Sequence, residues 1–125
     1  TVRLPMEWEW QRAAGAGVYP WGDVWHSDNA NTRESGLGYV VNAGLYPQAA
    51  SVFGVHDLCG NVNEWCMNTL APPYSSDKIQ DMQQRAVRGG SWALTQAFAA
   101  TTYRDLDVPP FERSADIGFR VCLIP

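Results

Sequence analysis

No stretch of this 125-residue chain approaches the ~20 consecutive apolar residues needed to span a bilayer. Its first residues, Thr1-Val2-Arg3-Leu4-Pro5, lack the charged-then-apolar order of an export signal. Membrane insertion is therefore not expected. Basic residues are scarce as well: nine Lys and Arg against 13 Asp and Glu give a net charge of -4 and a pI near 4.9. A nucleic-acid surface depends on clustered cations, so nucleic acid is not an expected partner. Only three cysteines occur, Cys59, Cys66 and Cys122, an odd set without the paired spacing of a zinc site. They read as buried free thiols, with a Cys59–Cys66 or Cys66–Cys122 disulfide left open for an oxidising compartment. There is no low-complexity tract, repeat or long charge run. With 46% hydrophobic and 18% charged residues, the chain reads as one folded domain over 1–125.

Regular structure is also sparse. Met6 to Ala14 is the one clear helix, with Pro5 ahead, acidic residues in the first turn and Gly15 just after. Residues 15–42 are rich in Gly, Asp, Asn and Trp without sustained periodicity, and predict a long irregular loop. A loop of that length needs pinning, by packing of Tyr19, Trp21 and Trp25 or by carbonyls around a cation. Short strand-like runs follow at 39–41, 52–55, 85–88 and 118–123. The expected class is α+β with little regular secondary structure. Residues 71–77, with Pro72-Pro73 and Ser75-Ser76, look like an exposed connection.

Four segments occur in order. Arg3-Leu4-Pro5-x-Glu7-x-Glu9-Trp10 is followed by Tyr19-Pro20-Trp21-Gly22-Asp23, and then by a run from Phe53 through Gly54-Val55-His56-Asp57-Leu58-Cys59-Gly60-Asn61-Val62-Asn63-Glu64 to Trp65. Last comes Arg88-Gly89-Gly90-Ser91-Trp92, leading to Gly118-Phe119-Arg120-Val121. Together they resemble the formylglycine-generating-enzyme/sulfatase-modifying family over nearly the whole chain, and the resemblance implies a C-type lectin fold of that subtype. Matching begins where the chain begins, so it is either a minimal member or a portion of one. Met6 stands where the family places a Thr that completes a T-x-x-E capping box, an exchange expected to cost about 1 kcal/mol. The paired glycines after Arg88 allow a sharp turn that would send Trp92 into the core.

Asp57-x-x-Gly60-x-Val62-x-Glu64 sets two carboxylates around a glycine turn, a source of the hard oxygen ligands that calcium takes. The resemblance implies a structural calcium ion here, with Asp57 and Glu64 giving side-chain oxygens and Gly60 and Val62 giving carbonyls. The competing reading is that the two acids cap turns or pair with arginines. The Asn29 to Gly36 loop is a weaker place for a second cation. Arg3, Arg104 and Arg120 read as structural arginines that hold carboxylates or carbonyls.

Oxidase members of the family bind copper through two cysteines shortly after the Arg-Gly-Gly-Ser motif; here Leu94 and Ala99 stand in those places. Iron chemistry normally takes two His with a carboxylate, and the chain has only His26 and His56. Neither copper nor iron, nor any catalytic residue, is expected.

Residues 93–116 (ALTQAFAATTYRDLDVPPFERSAD) carry the remaining signal. Family landmarks, Thr102-Tyr103-Arg104, Pro109 and Arg113, alternate with residues of mixed size and polarity. The layout resembles the variable region of proteins diversified by retroelements, in which adenine-directed mutation yields codons ending in C or T. Such codons exclude Lys, Gln, Glu, Met and Trp, and only Gln96 and Glu112 break that rule. Apolar residues in a turn-rich loop mark a binding surface. The expected contact residues are Ala93, Leu94, Gln96, Phe98, Ala99, Leu106, Asp107, Val108, Pro110, Phe111, Glu112, Ser114, Ala115 and Asp116. For Phe98 a core role stays equally open. Tyr103, Arg104, Arg113 and Phe119 are expected to hold the loop from beneath.

The reading is a non-catalytic display scaffold, on a cell surface or virion, whose changeable face binds a protein ligand. Its rivals are an enzyme of the same family with another chemistry, and an invariant scaffold domain of a larger machine.

Overall fold

Helix α1 (Glu7–Ala14) forms where Pro5 opens the segment, and ends at Gly15, which has φ +90°. The computed structural model describes residues 1–70, 84–105 and 108–125. Glu7 and Glu9 sit in the first turn of α1 and Arg12 in the last, the arrangement that suits the helix dipole. Met6 contributes no side-chain cap, yet half of the capping box survives: its backbone N–H donates to Glu9 Oε2 at 2.7 Å. Arg3 grips the same carboxylate at 2.7 and 2.8 Å. The buried face of α1 carries Glu7, Trp10 and Ala14.

That face lies on a four-stranded mixed sheet built from β2 (Asn63–Thr69), β3 (Arg85–Arg88), β4 (Arg104–Asp105) and β5 (Ile117–Gly118), in the order β4-β3-β2-β5. β3 runs antiparallel to both neighbours, whereas β5 joins β2 in parallel, with Glu64 opposite Gly118. A separate antiparallel pair, β1 (Val2–Arg3) and β6 (Cys122–Leu123), brings the two ends of the chain together. The α+β class with little regular structure stands. The strand-like runs at 39–41 and 52–55 are loops instead: Val40, Val52 and Phe53 project into solvent, so β-branched and aromatic content there reflects no ladder. The 71–77 connection lies outside the described residues.

Trp10, Ala14, Leu58, Cys66 and Ala86 form the core beneath the helix. A second cluster, Ala30, Cys59 and Ala99, sits under Tyr19, Trp21 and Trp25, whose rings pack at centroid distances of 5.1–5.7 Å. Aromatic packing thus pins the long loop. All three cysteines are free. Burial pushes the Cys66 thiol up to about 12, and raises that of Cys59 as well, which leaves both unreactive near neutral pH. Among the described residues no helix is long and apolar enough to cross a membrane.

Helix and sheet are tied by a buried charge cluster. Glu7, 8% exposed, receives Arg88 at 3.0 Å and Arg104 at 2.8 Å, while its backbone N–H donates to Asn68 Oδ1 at 2.7 Å. The Arg88 guanidinium, itself buried, lies 4.8 Å from the Trp10 ring centre and also donates to Gln11 Oε1 and the Thr101 carbonyl. Burial works against the charged form of Glu7, but Arg104 and Arg88 outweigh it and hold the carboxyl below its ordinary range.

Removing one partner of such a buried pair leaves the other charge uncompensated, so Glu7→Gln is expected to cost about 3–5 kcal/mol in urea unfolding at neutral pH. Because the folded pKa is depressed, this stabilisation is present above the ordinary carboxylate range and is lost as pH falls through the folded value. The gap between wild type and variant should therefore narrow in acid.

Candidate functional site

The backbone beneath residues 93–116 is held from several sides. On one side Arg33 donates through Nε and a terminal nitrogen to the Ala93 carbonyl at 3.0 and 2.7 Å, and its N–H donates to the Leu94 carbonyl at 2.9 Å. The neighbouring Glu34 accepts the Gln96 N–H at 2.9 Å. On another side Ser91 Oγ donates to Asp116 Oδ2 at 2.8 Å, Ser114 Oγ to Asp116 Oδ1, and the Trp92 indole to the Ala115 carbonyl at 3.3 Å. The two ends of the stretch are therefore side by side. Midway, Thr101 is anchored on Gly17 and Val18 at 2.6 and 2.8 Å, and Arg104 on Glu7.

Above that backbone every described candidate except Ala99 keeps some exposure. Phe111 is 66% exposed and Phe98 is 37% exposed, the latter standing edge-on to Tyr103 at 5.1 Å. Ala93, Leu94, Gln96, Ser114, Ala115 and Asp116 are brought together by the ties just described. Val108 and Pro110 are half-buried, and the 108–112 segment is organised by a local turn, Glu112 N–H to the Pro109 carbonyl at 3.0 Å. Leu106 and Asp107 lie outside the described residues.

Several expectations need correction. Ala99 is fully buried, at 0% exposure, because its methyl packs into the cluster under the tryptophans; it cannot touch a ligand. Phe119, expected in the core, is 68% exposed, and Arg113 also faces solvent, so neither supports the loop from beneath. The reason lies in the strand phase: Arg120 turns inward to Glu64, which sends Phe119 and Val121 out. Trp92 is half-buried across the loop ends, not a core residue. The glycines before it are required nonetheless: Gly90 has φ +71°, and a Cβ there would lie 2.7 Å from the Phe98 carbonyl oxygen. Sequence reasoning missed Arg33 and Glu34, since a clamp made through backbone groups 60 residues away leaves no local pattern.

A separate cleft of about 510 Å³ is lined by Asp57, Gly60, Val62 and Glu64 together with His56, Asn61, Phe119 and Arg120. The four residues expected around a cation thus line one cleft. Their donors are all oxygen, in a backbone wound through positive φ at Asp57 (56°), Gly60 (74°) and Asn61 (67°). Glu64 Oε2 already accepts Trp10 Nε1 at 2.7 Å and Arg120 Nε at 2.6 Å, and Oε1 accepts Arg120 at 2.7 Å. Asp57 Oδ2 accepts the Gly44 N–H at 2.6 Å. Glu64 is thus paired with an arginine and Asp57 receives a loop N–H, the competing reading of these two acids; Glu64 Oε1 and Asp57 Oδ1 keep lone pairs of the hard-oxygen class that calcium takes. In the Asn29 to Gly36 loop Asn31 Oδ1 accepts Ser35 Oγ, and Glu34 is engaged by Thr32 and Gln96. Among the described residues no three His, Cys, Asp or Glu side chains gather as a metal site.

Residues 1–123 match the sulfatase-modifying factor enzyme 1-like domain. The chain is 29% identical to hercynine oxygenase of Mycobacterium tuberculosis over 96% of its own length and 32% of that protein. It is 32% identical to mouse inactive C-alpha-formylglycine-generating enzyme 2, over 94% of this chain and 42% of the relative. In three dimensions it resembles Treponema denticola variable protein 1, with a TM-score of 0.79, 25% identity, and coverage of 96% of this chain and 46% of the other. PvdO from Pseudomonas aeruginosa aligns with a TM-score of 0.77 at 26% identity, over 96% of this chain and 51% of that one. The chain thus spans about half or less of each of these relatives.

Two substitutions separate the exposed rim from the turn that shapes it. Phe119→Ala should change unfolding free energy by no more than about 0.5 kcal/mol, as for a surface site. Gly90→Ala meets both the backbone strain and the Phe98 carbonyl, and should cost about 1–3 kcal/mol in the same denaturant titration.

Proposed function

This chain belongs to the sulfatase-modifying factor enzyme 1-like family, and from that premise we propose that it is a non-catalytic member whose 93–116 surface binds a protein ligand. The observation that carries the reading is the division of labour within that stretch. Its backbone is clamped by Arg33, Glu34, Ser91, Trp92 and Thr101, while Leu94, Phe98, Phe111 and Ala115 stay accessible above it. Side chains placed that way can change without disturbing the scaffold. Exposed aromatics and aliphatics suit a protein partner better than a sugar, which would need ordered polar groups.

Absence of catalysis in this reading rests on Leu94 and Ala99, two residues without ligating atoms where the family resemblance puts the copper cysteines. The inactive relative is consistent with it. Diversification of the stretch by a retroelement is part of the same proposal, as is display on a cell or virion surface, and the variable protein of similar shape favours it. It requires an adjacent reverse transcriptase gene and an adenine-substituted near-copy of the coding segment, both visible in flanking DNA. Calcium, held by the Asp57 and Glu64 carboxylates and the Gly60 and Val62 carbonyls, would serve as an electrostatic cross-link in the cleft.

The hercynine oxygenase relatives favour a second reading, an oxygenase-type enzyme working in the same fold. Metal analysis and a turnover assay separate the two, since stoichiometric copper or iron with product formation would replace the first.

A quadruple variant, Leu94→Ser, Phe98→Ser, Phe111→Ser and Ala115→Asp, should keep its melting temperature within a few degrees of wild type while losing a ligand selected against the native surface. Loss of folding instead would mean that the stretch is core, and the display reading would fail.

A further inference from the structure

Arg120 sits in the cleft as a cation sits among oxygens. Its Nε and one terminal nitrogen donate to Glu64 Oε2 and Oε1 at 2.6 and 2.7 Å, and that terminal nitrogen also donates to the His56 and Asp57 carbonyls at 3.0 Å each. One guanidinium thus gathers a carboxylate and two main-chain oxygens, the donor class that a hard cation takes. Glu64 is 5% exposed, and a carboxylate so buried requires a positive partner. Trp10 supplies a hydrogen bond to it but no charge. Within the cleft, Asp57, Glu64 and Arg120 leave one net negative charge.

We propose that Arg120 is a resident counter-cation that neutralises Glu64 when no ion is bound and competes with a divalent cation for the cleft. The proposal rests on the calcium reading of Asp57, Gly60, Val62 and Glu64. An entering ion meets a carboxylate whose Oε2 already accepts two bonds, so it must take Oε1 beside a guanidinium of like charge. Like charges at such short range weaken ion binding. The ion-free domain is thereby self-supporting, and the ion adds little to its stability.

The test compares wild type with Arg120→Gln, titrating calcium chloride by calorimetry and following thermal melts with and without chelator. Arg120→Gln should bind calcium about tenfold or more tightly. Its melting temperature in chelator should fall below wild type, and calcium should restore it. Wild type should respond to calcium with only a small rise. A measurement that needs no variant is the Arg120 Nε–H resonance in wild type, which should shift as calcium saturates the cleft. An equal or weaker calcium affinity in Arg120→Gln overturns the competition while leaving the cation site in place. An unmoved Nε–H signal at saturating calcium does the same. Absence of calcium binding in both proteins overturns the site and the proposal together.

Discussion

The carboxylate of Glu7 is shared by two guanidiniums from different strands, and this sharing fixes where helix α1 can lie. Arg88 comes from β3 and Arg104 from β4, so the helix is locked over that edge of the sheet. The side of Arg88 facing Trp10 converts the same cation into a packing surface. Its carbonyl bond to Thr101 then extends the hold to the loop after β3. A group of this kind contributes more to the uniqueness of the arrangement than to net stability, because both charges are drawn from water.

Trp10 links this cluster to the second one. Its ring receives Arg88 and its indole N–H reaches Glu64, so one residue of α1 touches both buried acids. Glu64 in turn holds Arg120. The helix, the sheet and the segment after β5 are therefore parts of one polar framework. Of the side chains above it, the Asp116 carboxylate belongs to the frame, since it accepts Ser91 and Ser114, whereas Leu94, Phe98, Phe111 and Ala115 are apolar and accessible.

What was legible in the sequence follows from which forces are local. Helix α1 was visible because Pro5, Gly15 and the placement of its charges are local signals, and β3 because Arg85 to Arg88 is a short run with strand character ahead of the paired glycines. β2 was not. Asn63, Glu64, Asn68 and Thr69 are polar yet buried, with Glu64 held by Trp10 and Arg120 and Asn68 by the Glu7 N–H, all distant in sequence, so the central strand carries no apolar pattern. The same cause explains the inverted phase at 119–123, where Arg120 and Cys122 turn inward and Phe119, Val121 and Leu123 face out. The oxygen donors of the cleft were legible, and so was Arg120 as an arginine that holds carboxylate or carbonyl oxygens; which ones it holds was not, because its partners are 56 and 63 residues away.

The adjacency of the two ends of the 93–116 stretch has a consequence for length. Ser91 with Asp116 and Trp92 with Ala115 close the stretch into a loop whose mouth is held by the scaffold. The entropy of closing such a loop grows only with the logarithm of its length, and doubling it costs about 0.6 kcal/mol. Thr101 and β4 pin the stretch midway, so this small cost applies to the pieces of chain between those fixed points and not to the segment as a whole. Insertions and deletions, and not only exchanges of side chain, are open to the surface as a means of change.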